Sequence, residues 1–258
     1  MAGSQIERAI QLLEHLAEAP GGVPLQTLAD AYGMPKSAAH RLLAELTRLG
    51  YVRQNPDSAR YLLSTRLVAM GFRYLSGSGV DIVQPVLERL AADSGELVRL
   101  GVIEGQRLTW IAKSQGARHG LRYDPDMGRE APLFYTASGH AWLATLSDAQ
   151  ALALVERQGP CTPPGVGPGA PANNAELLER LRQARALGYA WVAESSAVGM
   201  AAMAVAVRRP REGEAVGVLS VAGPSARLPR ERMQALAPLM LAAGLELGEA
   251  ALASEWFN

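Results

Sequence analysis

The chain has 258 residues, 48% of them hydrophobic, and its 25 Lys and Arg balance 25 Asp and Glu. That length and apolar content allow a small domain plus a medium one, each with a buried core, while zero net charge excludes a chain-wide cationic coat for nucleic acid but not a local basic patch. Cys161 is the only cysteine, which excludes an internal disulfide and fits a reducing cytoplasm.

Glu7 and Glu14 interrupt the N-terminal stretch, so it lacks the order of a signal peptide. No apolar run approaches the ~20 residues that span a bilayer, so no membrane segment is expected. Ser4 and Glu7 form a capping-box pattern ahead of Ile6, Ile10, Leu13 and Leu16, which predicts a first helix ending before Pro20. A second, short helix is expected over 25–32, and Gly33-Met34 is a tight turn. A third helix opens at Pro35, tolerated in a first turn whose N–H would have no partner. Ala39, Leu42, Leu43, Leu46 and Leu49 give it an apolar stripe at helical period, and Gly50 fits the position after its end. "YVRQ" and "YLLS" flank Asn55-Pro56-Asp57, whose turn chemistry predicts a hairpin. A helical pattern resumes over 64–75 through Leu67, Val68, Phe72 and Leu75. Residues 76–79 read SGSG, a flexible composition that marks a domain boundary.

Beyond that boundary a helix is expected over 80–94. "LVRLGVI" and "LTWIAK" then flank Glu104-Gly105-Gln106-Arg107 as a second hairpin. A loop-rich section covers 114–132. Helices over 137–146 and 148–158 precede "GPCTPPGVGPGAPANN", which is too dense in Gly and Pro for anything but a loop. Asn174 is placed to cap a helix that Gly188 ends. Strands are expected over 189–193, 200–207 and 215–222, and a last helix over 229–253. Strands in neighbouring hairpins with helices at both ends favour an α+β domain with an antiparallel sheet over a doubly wound parallel one. The expected division is 1–63 for the first domain, 64–79 for a linker helix and hinge, and 80–258 for the second domain.

Helix, helix, tight turn, helix, hairpin is the order of a winged helix-turn-helix. A recognition helix buries one stripe and projects the other into the major groove. The leucine stripe of the third helix does the burying. Lys36, Ser37, Ala38, His40 and Arg41 occupy its N-terminal half, where base edges are usually read: Arg pairs bidentately with guanine, Ser bonds several bases, and an Ala methyl meets a thymine methyl. Arg48, near its end, is expected against phosphate or solvent. Gln26 and Thr27 begin the second helix, where N–H groups and side chains can grip a phosphate. Arg53 and Arg60 flank the hairpin turn, within reach of an adjacent groove or backbone. Residues 1–78 carry eight Lys and Arg against six Asp and Glu. That excess is too small for one copy to bind DNA tightly, so two or more are implied.

Other chemistries find less support. His15, His40, His119 and His140 have no metal-ligand spacing with one another or with Cys161, and His15 is expected on a solvated turn. Ser138 precedes His140 but lacks the flanking glycines of a nucleophile elbow and a third member. Ser138 and Gly139 are instead expected to open a helix whose N–H groups face a pocket. Asp124, Asp126 and Glu130 show no calcium-loop spacing, and "GVGPGAP" lacks the Lys-Ser/Thr of a phosphate loop. A complete recognition unit beside no complete catalytic constellation favours a regulator, with no metal or cofactor, over the alternative of an enzyme or metabolite-binding protein carrying an attached helix-turn-helix.

"IERAIQLLEHLAE…VPLQTLADAYGMPKSAAHRLLAELTRLGYV" resembles the DNA-binding domain of the isocitrate-lyase regulator (IclR) family of bacterial transcription factors. "PLFYTASGHAWLATL", "ALGYAWVAESSAVGM" and "GVLSVAGPSARL" resemble that family's effector-domain motifs, in the same order. The resemblance covers nearly the whole chain. It implies a winged helix-turn-helix, a linker helix and a GAF-like α/β effector-binding domain. It also implies a homodimer or tetramer (a dimer of dimers) on a palindromic operator in double-stranded DNA near catabolic genes, with repression the commoner role and a small metabolite as effector. The family's pocket positions fall on Tyr123, Ala131, Ala137, Ser138, Val192, Met200, Ala202, Ser220 and Ala222. The chain departs from the family where an acidic stretch is reduced to Glu194 and where Ala202 replaces a common cysteine. The implied pocket is mainly apolar, with Tyr123 and Trp142 or Trp191 near it, which favours an aromatic or otherwise apolar acid over a very small, fully charged one.

Overall fold

The computed structural model describes residues 4–77, 80–123, 125, 127–159, 166–210 and 213–250, with the backbone alone for 72, 74–77 and 80–82. Ser78-Gly79, Asp124, Asp126, Cys161 with the start of the Gly/Pro-rich loop, and the chain after Ala250 lie outside the described residues, as do the side chains of Phe72 and Leu75. The chain divides into two compact units between Gly77 and Ser78.

The first unit runs α1 (Gln5–Ala17), α2 (Leu25–Ala31), α3 (Lys36–Arg48), β1 (Val52–Gln54), β2 (Tyr61–Leu63) and α4 (Thr65–Gly77). The capping box starts α1: the Glu7 N–H donates to Ser4 Oγ at 3.1 Å, and the Ser4 N–H donates to the Glu7 carboxylate at 3.2 Å. Leu12 and Leu16 of α1 meet Leu28 and Ala29 of α2 and the α3 stripe of Ala39, Leu42, Leu43 and Leu46. Val23, Met34, Val52 and Tyr61 close this core. Gly33, at φ +57°, makes the turn that sets α3 across α2, a conformation that glycine adopts without a Cβ penalty. Pro35 is the residue before the helix rather than its first residue, with α3 beginning at Lys36. The hairpin pairs Val52 with Leu63 and Gln54 with Tyr61. Val23 adds a third rung by exchanging two 2.9 Å backbone hydrogen bonds with Tyr61. The SGSG segment begins inside a helix, because α4 continues through Ser76 and Gly77.

The second unit runs α5 (Val80–Ser94), β3 (Leu97–Glu104), β4 (Arg107–Gln115), α6 (Ala137–Leu143), α7 (Asp148–Gln158), α8 (Asn174–Leu187), β5 (Ala190–Ala193), β6 (Met200–Arg208), β7 (Ala215–Pro224) and α9 (Arg230–Ala250). The strands form one sheet, ordered β4-β3-β7-β6-β5, with every neighbouring pair antiparallel. β7 is central and buried almost throughout, because helices cover both faces. Val205 meets α9 at Gly244, whereas the next residue, Ala204, joins the cluster around α6, α7 and α8. Asn173, one residue earlier than expected, caps α8 by accepting from the Glu176 N–H at 3.0 Å. Among the described residues no helix is long and apolar enough to cross a membrane.

Register places small side chains in rows on the α6 face. Val192, Ala202 and Ala222 are cross-strand neighbours. Two residues along each strand, Ala190, Ala204, Ser220 and Arg99 form the next row, on the same side by the two-residue period of a strand. The alanines and Ser220 in these rows leave the layer between sheet and helix unfilled, which leaves room for a cavity that Arg99 also lines.

Candidate DNA-binding face and effector cavity

In the first unit, α3 buries its leucines and exposes Lys36, Ser37, His40, Arg41, Thr47 and Arg48, with Ala38 half-buried. Gln26 and Thr27 are exposed on the first turn of α2, where the Gln26 amide donates to Asp30 at 2.8 Å. Arg53 and Arg60 are exposed on β1 and beside β2. These side chains are not equally free. Arg48 forks onto Glu45 through Nε at 2.8 Å and Nη2 at 2.5 Å, and each partner shifts the other's pKa toward the charged form. Arg60 Nη1 donates to the Gly22 carbonyl at 2.9 Å, tying the wing to the turn before α2. Thr47 donates to the Leu43 carbonyl at 2.7 Å. Lys36, Arg41 and Arg53 have no such contact among the described residues. Glu45 places an acidic side chain among the exposed residues of α3. His15 is not simply solvated: its ring packs edge-on against Tyr32 at 5.7 Å, with Nδ1 at 3.2 Å from the Tyr32 hydroxyl.

In the second unit, eight of the nine expected effector positions line one cavity of about 300 Å³: Tyr123, Ala137, Ser138, Val192, Met200, Ala202, Ser220 and Ala222. Ala131 does not. Its N–H donates to the Leu108 carbonyl at 2.7 Å and its methyl is fully buried in the core, while Glu130 and Pro132 on either side face the cavity. Neither Trp142 nor Trp191 lines it. Trp142 lies in the core cluster. Trp191 alternates with Val192 along β5, and its ring lies under Arg230 at 4.8 Å. The tryptophan that does line the cavity is Trp110, on β4.

The cavity is not as apolar as its expected residues suggest. Arg99, on β3, lines it with 5% of its surface exposed. The Arg99 guanidinium stacks 3.8 Å from the Trp110 ring centroid, and the Tyr123 ring lies 5.8 Å away. Burial pushes the Arg99 pKa down, with the Tyr123 hydroxyl acting in the opposite sense. The signal was present in the sequence: "LVRLGVI" places one charge inside an apolar strand, and a buried charge needs a reason.

α6 forms one wall, and Thr136 rather than Ser138 caps it: Thr136 Oγ1 accepts from the Gly139 N–H at 3.0 Å. That N–H therefore does not face the cavity unpaired. Ser138 and His140 do not form a nucleophilic pair. His140 Nε2 lies 2.7 Å from the Phe134 carbonyl. A carbonyl only accepts, so Nε2 carries the proton, and the bare Nδ1 is buried without a partner among the described residues. Two larger clefts, of about 470 and 590 Å³, run beside α8 and beside α7. Charged side chains such as Glu176, Glu179, Glu104 and Arg107 rim them. No group of three His, Cys, Asp or Glu among the described residues is placed to hold a metal.

Residues 5–56 match the IclR helix-turn-helix domain, and residues 73–248 match the bacterial transcriptional regulator IclR C-terminal domain. The chain is 29% identical over 244 residues to the transcriptional repressor IclR of Escherichia coli, covering 94% of this chain and 88% of that one. It is 30% identical over 248 residues to the HTH-type transcriptional regulator XynR of Escherichia coli, covering 95% and 96%. Among solved structures, an IclR homolog from Microbacterium hydrocarbonoxydans complexed with 4-hydroxybenzoate superposes with a TM-score of 0.77 at 20% identity, covering 97% of this chain and 100% of that one, a likeness of fold. Both units are thus accounted for in order, and the chain belongs to the IclR family of bacterial DNA-binding transcriptional regulators, not to a family of enzymes.

Proposed function

We propose that this protein is a cytoplasmic repressor of a catabolic operon. A dimer, or a dimer of dimers, binds a palindromic operator through α3 and the wing and is released when a small metabolite occupies the cavity between the sheet and α6. The cavity carries the ligand-responsive part of this reading: it is lined by family pocket positions from three strands, a loop and a helix, and its volume falls at the small end of the range for ligand sites. Curated relatives named as repressors support the sign of regulation, and a structural neighbour that carries 4-hydroxybenzoate supports a small-molecule effector. A ligand can alter DNA binding only by favouring one dimer arrangement over the other.

The test is a band shift with the full chain and the DNA upstream of its own gene, titrated with candidate metabolites. A specific complex that a metabolite weakens is expected. No specific complex at low salt, with or without metabolites, would sink the reading. Within that assay, Arg41→Ala is expected to weaken specific binding by about 1–3 kcal/mol and relax preference at one base pair. Unchanged affinity and preference would remove Arg41 from the residues that read bases.

A further inference from the structure

Three buried side-chain nitrogens on residues that line this cavity have no hydrogen-bond partner among the described residues: Arg99 Nε, Arg99 Nη1 and Trp110 Nε1. All three are donors. A buried donor without an acceptor is costly, and a buried cation without a counter-charge more so. Glu130, the carboxylate on the same wall, is engaged elsewhere, with Arg107 at 3.8 Å and the Gln158 amide at 2.9 Å. Stacking on Trp110 offsets part of the cost of burying Arg99 and fixes the plane of its guanidinium, but it supplies no acceptor. A ligand that completes the cavity must therefore bring acceptor atoms and negative charge.

We propose that Arg99 is the anion anchor of this cavity and that the ligand is a small organic monocarboxylate with an apolar body. This rests on the reading of the cavity as the effector site. The carboxylate pairs with the guanidinium, and the body lies along Ala137, Val192, Met200, Ala202 and Ala222. Arg129 and Glu130 also line the cavity and carry opposite charges, so the lining has one net positive charge, which matches one carboxylate. A phosphoryl group would bring more charge than that net positive charge balances, and a bare inorganic anion would leave the apolar wall uncovered. The guanidinium, its plane held by the stack, offers an unpaired, charge-assisted donor to a carboxylate oxygen, with Trp110 Nε1 as a further unpaired donor on the lining.

The experiment pairs acids with their amides on the full chain. Acetate, pyruvate, benzoate, phenylacetate and 4-hydroxybenzoate are each compared with the matching neutral amide by thermal shift and calorimetry. At least one acid is expected to raise the melting temperature while its amide does not. Arg99→Met is expected to weaken that acid by roughly ten- to a hundredfold, the scale of a charge-assisted hydrogen bond, and Arg99→Lys by less. Without ligand, Arg99→Met is expected to be at least as stable as the parent, because the unpaired buried charge is gone. Amides that bind as well as acids, acids that bind Arg99→Met unchanged, or no response to any acid would each overturn the proposal. A neutral ligand that binds the cavity and releases operator DNA would leave the regulatory reading standing and this one fallen. An acid that needs Arg99 but leaves operator affinity unchanged would do the reverse.

Discussion

Gly139→Ala is expected to destabilise the second unit by about 3 kcal/mol or more. A Cβ at this position would lie 2.3 Å from the Leu133 carbonyl oxygen and 2.5 Å from the Leu133 Cα. Both atoms are backbone, so no rotamer change relieves the clash. α6 would have to move off the 133–136 segment, which would loosen the Thr136 cap and one wall of the cavity together. Overpacking a core typically costs about 1–3 kcal/mol, occasionally more, and a fixed backbone obstacle belongs at the upper end. The chain has four tryptophans, and those at 110, 142 and 191 lie in the second unit with the fourth, Trp256, further along it. Tryptophan emission therefore follows that unit alone, which avoids treating a two-unit chain as two-state. A urea midpoint equal to the parent's would show that α6 shifts at no cost.

The second unit should also lose stability in mild acid through His140. Burial lowers its pKa from 6.5 to about 4, and the nearby Arg180 acts in the same sense. A proton on Nδ1 would create a buried cation with no acceptor. Below the unfolded-state value near 6.5 the unfolded chain binds a proton that the folded chain refuses, so the stabilisation present at neutral pH falls as pH drops toward about 4. The difference is worth about 3 kcal/mol across that window. Urea unfolding monitored by tryptophan emission at pH 7, 6, 5 and 4 measures it. His140→Gln keeps a donor for the Phe134 carbonyl but cannot charge, so its profile should be flatter. Equal slopes in parent and variant would place the acid sensitivity elsewhere.

The elements of the first unit were legible in order because their signals are local. The Ser4–Glu7 box, Gly33, the leucine stripe and Asn-Pro-Asp each act within a few positions. In the second unit the strands and their antiparallel pairing were also readable, but the cavity was legible only where the family motifs mark it. Arg99 and Trp110 join it through pairing across the sheet, and Glu130 and Tyr135 through a loop without periodicity. Ala131 and Trp142 show the opposite failure. Their residue types fit a pocket wall, and the turn of the chain directs them into the core. The paired state of Arg48 was equally hidden. Glu45 stands three residues before it in the sequence, but a count of basic side chains does not register a partner.

On an operator, Arg48 would meet a phosphate with part of its charge already balanced by Glu45, and Arg60 with one nitrogen already tied to the Gly22 carbonyl. Each phosphate neutralised by a free cation expels a condensed counterion into bulk solvent, and that mixing entropy makes association sensitive to ionic strength. For Arg48 the expulsion is partly offset, because the Glu45 carboxylate already neutralises its charge. Ionic strength thus weighs Lys36, Arg41 and Arg53 more heavily than the other two. Two surfaces with the same number of arginines would then differ in how steeply added salt loosens them, and the intrahelical pair on α3 makes this one the shallower.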